Sequence, residues 1–164
     1  MGADRWASSP TRVSPAERRS SGLTLVGDDA QRSNPNGLGL RAAAELLEVP
    51  PAEMATAYRM SAEIADWLND HAAAHGIDAV HLLGIRPTGV AVEEAAGDRT
   101  TAEARLAELA DQWPNVALIT AEDTWSHKGV EYDAVVVDTA GMDPAQIYLA
   151  ASRAAHQLEI IHPA

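Results

Sequence analysis

The sequence predicts an α/β fold in which helices flank a mostly parallel sheet. Two uninterrupted apolar runs, residues 116–120 and 134–138, are typical of strands that are covered on both faces. Helical patterns alternate with the apolar runs along the chain, which is the order that produces a parallel sheet. Of the 164 residues, 46% are hydrophobic and 22% are charged. This composition supports one domain with a substantial core.

The first part of the chain predicts an arm, a strand and two helices. Residues 1–21 are rich in Ser, Pro and Arg without a hydrophobic period, so we expect a disordered arm, followed by one domain over 22–164. Residues 23–27 predict a buried strand. Residues 38–48 predict a helix that Pro50 and Pro51 end, and residues 61–74 a longer helix that Ser61 caps.

The later part predicts three more strands around two helices. Short apolar stretches at 80–83 and 89–92 predict strands on either side of a turn. Residues 100–112 predict a helix with a Thr cap. Asp143 and Pro144 begin another helix, which we expect to reach residue 155, because proline is favoured at the first helical position. Residues 158–161 predict the last strand.

The charge and the cysteine content exclude several classes of protein. The formal net charge is −12, and residues 42–164 hold 20 acidic and six basic side chains, so a free-standing binder of nucleic-acid phosphates is not expected. The absence of cysteine excludes disulfides, a thiolate nucleophile and Cys-ligated zinc. No apolar run is long enough to span a membrane or to form a signal sequence, so we expect a cytoplasmic protein without a membrane partner.

Four polar segments lie next to apolar strands or helices. They contain all three tyrosines and the one lysine, Lys128, and they read VGDDAQ (26–31), YR (58–59), KGVEYD (128–133) and IYLAASRA (147–154). Ligands of α/β sheets bind at the carboxyl ends of strands, so we expect these segments to meet there.

The four segments resemble motifs of a known family, the UvrD/Rep-like superfamily 1 helicases, with HelD-like members as similar relatives. LTLVGDDAQRS is similar to motif III, TAYRMSAEI to motif IV, SHKGVEYDAVVVD to motif V and IYLAASRAAHQLEII to motif VI. The resemblance covers roughly residues 23–162 and implies the C-terminal (2A) RecA-like lobe. In that family an ATP site lies between two such lobes.

The resemblance implies three catalytic residues and a base-stacking ring. Gln31 would sense the γ-phosphate, Arg59 would reach the phosphates and Arg153 would act as the arginine finger. Tyr58 would stack on the adenine. Structural alternatives are a loop cap for Gln31, a core position for Tyr58 and surface ion pairs for the two arginines.

Further roles follow from the motif V resemblance. Glu131 would accept hydrogen bonds from the ribose and Gly129 would allow a close backbone approach, although Glu131 is equally a solvated loop charge. Trp125 and Ser126 are candidate nucleic-acid contacts, and Trp125 stands where the family commonly has His. Ser152 likewise replaces the usual Thr before the finger arginine.

The sequence departs from the family because it has no G-x-x-x-x-G-K-[ST] loop and no Mg²⁺-binding acidic motif. We therefore expect ATP and Mg²⁺ to be bound mainly by a Walker A lobe supplied in trans, and no hydrolysis by these residues alone. DNA is a further candidate partner. The alternative is a non-catalytic interaction module, for example on RNA polymerase as for HelD-like relatives. No metal site is expected, because His71 and His75 alone on a helix do not make one.

Overall fold

A four-stranded parallel sheet forms the centre of the protein. The computed structural model describes residues 23–31, 34 and 36–164. The sheet has the order β3-β6-β5-β4, and all three pairings are parallel. Its strands are β3 (Glu93–Gly97), β4 (Val116–Ile119), β5 (Tyr132–Asp138) and β6 (Ala154–Pro163). A separate parallel pair is formed by β1 (Thr56–Ala57) and β2 (Leu83–Gly84).

Helices cover both faces of the sheet, which confirms the predicted fold class and is consistent with a RecA-like lobe. They are α2 (Ala62–His75), α3 (Arg99–Ala110) and α4 (Pro144–Ala151), whereas a further helix, α1 (Leu40–Leu47), has no buried residue. In β5, Val135 and Val137 pack in one core cluster with α2 and α4, whereas Ala134 and Val136 pack in a second cluster with α3. The side chains alternate between two covered faces, so the run contains no exposed polar position.

The caps explain where two of the helices begin. The buried Ser61 hydroxyl accepts a hydrogen bond from the Ile64 amide at 3.2 Å, as the cap prediction required. Asp143 and Gln146 form a reciprocal capping box around Pro144 at the start of α4. At the other end α4 stops at Ala151, earlier than expected, because the chain enters β6 at Ala154.

Several predicted elements are wrong or displaced. Residues 23–28 form no strand: they pair with no other described strand, and their apolar side chains are exposed. The predicted strands at 80–83 and 89–92 are replaced by β2 and β3, which begin three or four residues later. Parallel pairing with 159–163 places β3 on Glu93–Gly97, a stretch that has no apolar run.

Two further expectations concern α3 and the N-terminal arm. The cap of α3 is Asp98 rather than a threonine, and its carboxylate accepts from the Thr101 amide at 3.0 Å. The arm predicted over 1–21 lies outside the described residues. Within the described part of the chain, no helix has the length and apolar character needed to cross a membrane.

Candidate functional site

The candidate site lies at the amino-terminal edge of the sheet. Glu131 directly precedes β5, and Arg153 directly precedes β6 after the end of α4. The expected location at the carboxyl ends of strands is therefore wrong for these two segments. The connections bring their polar residues to the point where β5 and β6 begin, and the 3₁₀ turn Asp29–Gln31 packs beside them against α4.

A cavity of about 320 Å³ opens at this edge and brings together residues from motifs III, IV and VI. Its polar lining comprises Asp28, Gln31, Thr56, Tyr58, Arg59, Tyr148 and Ser152, and Met60 and Leu82 are among its apolar neighbours. Three of the predicted site residues, Gln31, Tyr58 and Arg59, thus line one space although up to 28 positions separate them in the sequence.

Arg153 is almost fully buried, with 5% of its surface exposed, so a surface ion pair does not describe it. Its Nη2 donates to Gln31 Oε1 at 2.8 Å and to Ser152 Oγ at 2.8 Å, and its Nε donates to the Leu149 carbonyl at 3.3 Å. Burial lowers the pKa of Arg153, and the positive charge of Arg59 lowers it further. The guanidinium is held by neutral acceptors at the carboxyl end of α4, where the helix dipole favours a cation.

Arg59 lies next to Arg153 and is partly exposed. Its Nη2 donates to the Ser152 carbonyl at 2.9 Å, and its Nη1 forms a short ion pair with the Glu131 carboxylate. Its Nε is buried and has no hydrogen-bond partner among the described residues. Arg59 is thus fixed on one side by the backbone and on the other by a carboxylate that is more than half exposed.

The two tyrosines of the cavity differ in exposure. Tyr58 is 71% exposed, which excludes the core alternative and leaves its ring accessible at the cavity. Tyr148 is 3% exposed, and burial raises its pKa to about 12. Tyr148 and Asp28 line the cavity but received no role from the sequence, although both lie inside the motif segments. The missing signals were the burial of Tyr148 and the approach of the exposed Asp28 to a cavity that distant segments form.

The predicted nucleic-acid contacts do not line the cavity. Trp125 and Ser126 lie in the 3₁₀ turn Thr124–His127, with Trp125 38% exposed and Ser126 Oγ donating to the Asp123 carbonyl at 2.6 Å. The next residues connect this turn to the site. Lys128 Nζ donates to the Gln31 carbonyl at 2.7 Å, so motif V contacts the same residue as Arg153.

Gly129 adopts a left-handed conformation, with φ at +82°. A Cβ at this position would meet no described atom within 4 Å. The backbone conformation, rather than a crowded contact within the chain, is therefore what favours glycine here.

Several histidines form stacked or hydrogen-bonded contacts. His71 stacks on Trp67 with ring centroids 5.0 Å apart and lies 4.5 Å from the His75 ring. His127 Nδ1 lies 2.8 Å from the Tyr132 hydroxyl. In the part of the chain that the structure describes, no group of three or more His, Asp or Glu side chains could hold a metal ion.

Comparison with known proteins gives a coarse similarity to a solved structure. No protein-family model matches the chain, and no curated protein matches it. Among solved structures, the chain is similar to the C-terminal domain of a possible DNA helicase from Lactobacillus plantarum WCFS1. The sequence identity is 18% over 71% of this chain and 77% of the other, with a TM-score of 0.22. A TM-score of 0.22 marks a coarse similarity only.

Proposed function

We propose that this domain supplies the arginine-finger half of an ATP site in a superfamily 1 helicase or translocase. The observation that carries the proposal is the hydrogen bond from Arg153 to Gln31, which joins motif VI to motif III beside a cavity that also holds motif IV. Residues 122 positions apart meet in this contact. The UvrD/Rep-like resemblance assigns to these same residues the detection of a γ-phosphate.

The side chains suit the proposed ligand. Two adjacent guanidiniums offer fixed positive charge and directional donors, which match phosphate oxygens. The exposed Tyr58 ring at the cavity offers a flat surface on which a base can stack. When bound, ATP would supply the phosphoanhydride whose cleavage drives movement; Arg153 would stabilise charge on the transferred phosphoryl group, and Gln31 would report its presence.

A second lobe completes the proposed site. The sequence contains no Walker A loop, so the β- and γ-phosphates and Mg²⁺ would be held mainly by a Walker A lobe in trans. DNA is the proposed nucleic-acid partner, and Trp125 at 38% exposure is the candidate stacking residue. Because this chain has a formal charge of −12, most of the positively charged side chains that contact DNA phosphates would belong to the other lobe.

The test combines this chain with a Walker A lobe of a UvrD/Rep-like helicase and measures phosphate release with and without single-stranded DNA. We expect DNA-stimulated release that Arg153→Ala lowers by about 10³-fold, the order that an arginine finger supplies. Arg41→Ala is the matched control, because it removes an exposed arginine whose partner is Asp78.

Two results would contradict the proposal. One is phosphate release that Arg153→Ala leaves unchanged. The other is a combined result: the isolated chain binds no ATP at millimolar concentration, and it is recovered with a stable protein partner such as RNA polymerase. That result would favour the interaction module. Exposed apolar side chains of the 23–54 region, including Leu23, Val26 and Met54, give that second candidate a surface.

A further inference from the structure

The two guanidiniums of the site share one residue as their anchor. The Ser152 carbonyl accepts from Arg59 at 2.9 Å, and the Ser152 hydroxyl accepts from Arg153 at 2.8 Å. Both cations therefore lie side by side at the carboxyl end of α4. Neighbouring cations disfavour each other's charge, and an anion placed between or beside them relieves this repulsion.

Glu131 supplies such an anion from within the chain. Its carboxylate pairs with Arg59 Nη1, and its negative charge also acts on Arg153, opposing the influence of Arg59. The pairing leaves Arg59 incompletely satisfied, because the buried Nε has no hydrogen-bond partner among the described residues. A carboxylate with 57% of its side chain exposed holds its partner weakly, since solvent screens the attraction.

We propose that Glu131 is a displaceable internal competitor for the phosphate groups that Arg59 is built to bind. In the ligand-free chain the carboxylate occupies the guanidinium, and a polyphosphate, which carries more charge and more acceptor oxygens, replaces it. This inference rests on the proposed function. It assigns Glu131 to the phosphate side of the site, whereas the family resemblance implies a ribose contact.

The position of Glu131 is compatible with release. The residue lies in the loop between the 3₁₀ turn and β5, two positions after the left-handed Gly129, and its neighbour Val130 is also exposed. Arg59 stays in place without Glu131, because the Ser152 carbonyl at the end of α4 holds its other terminal nitrogen. Displacement of the Glu131 carboxylate thus frees N–H donors on the Arg59 guanidinium, which is already in position.

The experiment measures binding of inorganic tripolyphosphate and of adenosine to the full chain by calorimetry or NMR titration at fixed ionic strength. Tripolyphosphate has no ribose, so it separates the two roles. We expect Glu131→Gln to strengthen tripolyphosphate binding by about three- to tenfold and to leave adenosine binding unchanged. Glu103→Gln, which removes an equal charge from the opposite face on α3, is the matched control and is expected to have little effect.

A double variant shows whether the effect passes through Arg59. Arg59→Gln combined with Glu131→Gln is expected to lose the gain in tripolyphosphate affinity. Unchanged or weaker tripolyphosphate binding by Glu131→Gln overturns the proposal, as does an equal gain in Glu103→Gln. If no variant binds tripolyphosphate, the competitor role fails, whereas the proposed function is decided by phosphate release in the presence of the Walker A lobe.

Discussion

At the residue scale, the burial of Arg153 has the clearest physical consequences. Arginine is rarely this buried unless its donors are satisfied, and here Gln31, Ser152 and the Leu149 carbonyl accept from it. None of these acceptors carries a formal charge. The guanidinium therefore keeps a positive charge that is not neutralised in direct contact, as the proposed phosphate contact requires.

Replacing Arg153 is expected to cost stability as well as function. Arg153→Ala removes the donors to Gln31 Oε1 and Ser152 Oγ, although the Leu149 carbonyl keeps the Ser152 hydroxyl as a donor, so the free energy of unfolding should fall by about 1–3 kcal/mol. Arg41→Ala, at an exposed ion pair, should change it by less than about 0.5 kcal/mol. Urea unfolding measures both values. An Arg153 variant as stable as the Arg41 variant would show that the buried hydrogen bonds contribute little.

At the scale of elements, α2 is attached to the rest of the fold by contacts from its first turn. Ser61 caps the helix, and its amide donates to the Ala155 carbonyl in β6 at 2.9 Å. In the same turn, the Glu63 carboxylate accepts from the amides of Thr88 at 3.0 Å and Gly89 at 2.7 Å. The loop before β3 is thereby connected to the helix that begins within the TAYRMSAEI segment.

Glu63 should make stability depend on pH. Backbone hydrogen bonds, first from its own amide and then from Gly89, lower its pKa from 4.5 to about 2, so the folded state favours the carboxylate. Its contribution is complete above the unfolded value and is lost as the pH falls toward about 2. Glu63→Gln should therefore lower the urea midpoint at pH 7 and lower it less at pH 3. Glu53→Gln, on an exposed segment, is the control; equal shifts at both pH values would contradict the assignment.

The elements also show how far sequence patterns reach. Continuous apolar runs predicted β4 and β5, and Ser61 and Asp143-Pro144 predicted the starts of α2 and α4, because the determining groups lie within a few residues. β3 was displaced because its position depends on pairing with β6, more than 60 residues later. The strand predicted at 23–27 is absent for the opposite reason: the run is apolar, but no described strand pairs with it.

At the scale of the whole molecule, charge and exposed apolar surface are unevenly distributed. Most acidic side chains lie in residues 42–164, whereas eight large apolar side chains between 23 and 54 are exposed. These are Leu23, Leu25, Val26, Leu38, Leu46, Leu47, Val49 and Met54. Exposed apolar side chains in such number are typical of an interaction surface or an association liability.

We expect the chain alone to self-associate through this apolar region. Light scattering should give a mass above the 17.4 kDa of one chain, rising with protein concentration. Leu46→Glu with Met54→Glu should shift the distribution toward the monomer, since both side chains are largely exposed. Glu53→Gln is a control at a neighbouring exposed position. A monodisperse monomer of the wild type at all concentrations would contradict the prediction.

The sequence by itself determined the fold class and predicted the segments that contain the candidate site, because apolar periodicity, caps and motif spacing are local properties. Only the tertiary structure decided where the site lies and how its residues pair. The amino-terminal edge of β5 and β6, the exposure of Tyr58 and the contacts of Arg153 with Gln31 and Arg59 with Glu131 depend on chain segments 72 and 122 positions apart. Packing of α4 against the sheet and against the 3₁₀ turn Asp29–Gln31 brings these segments together. No local sequence pattern specifies contacts between segments so far apart in the chain.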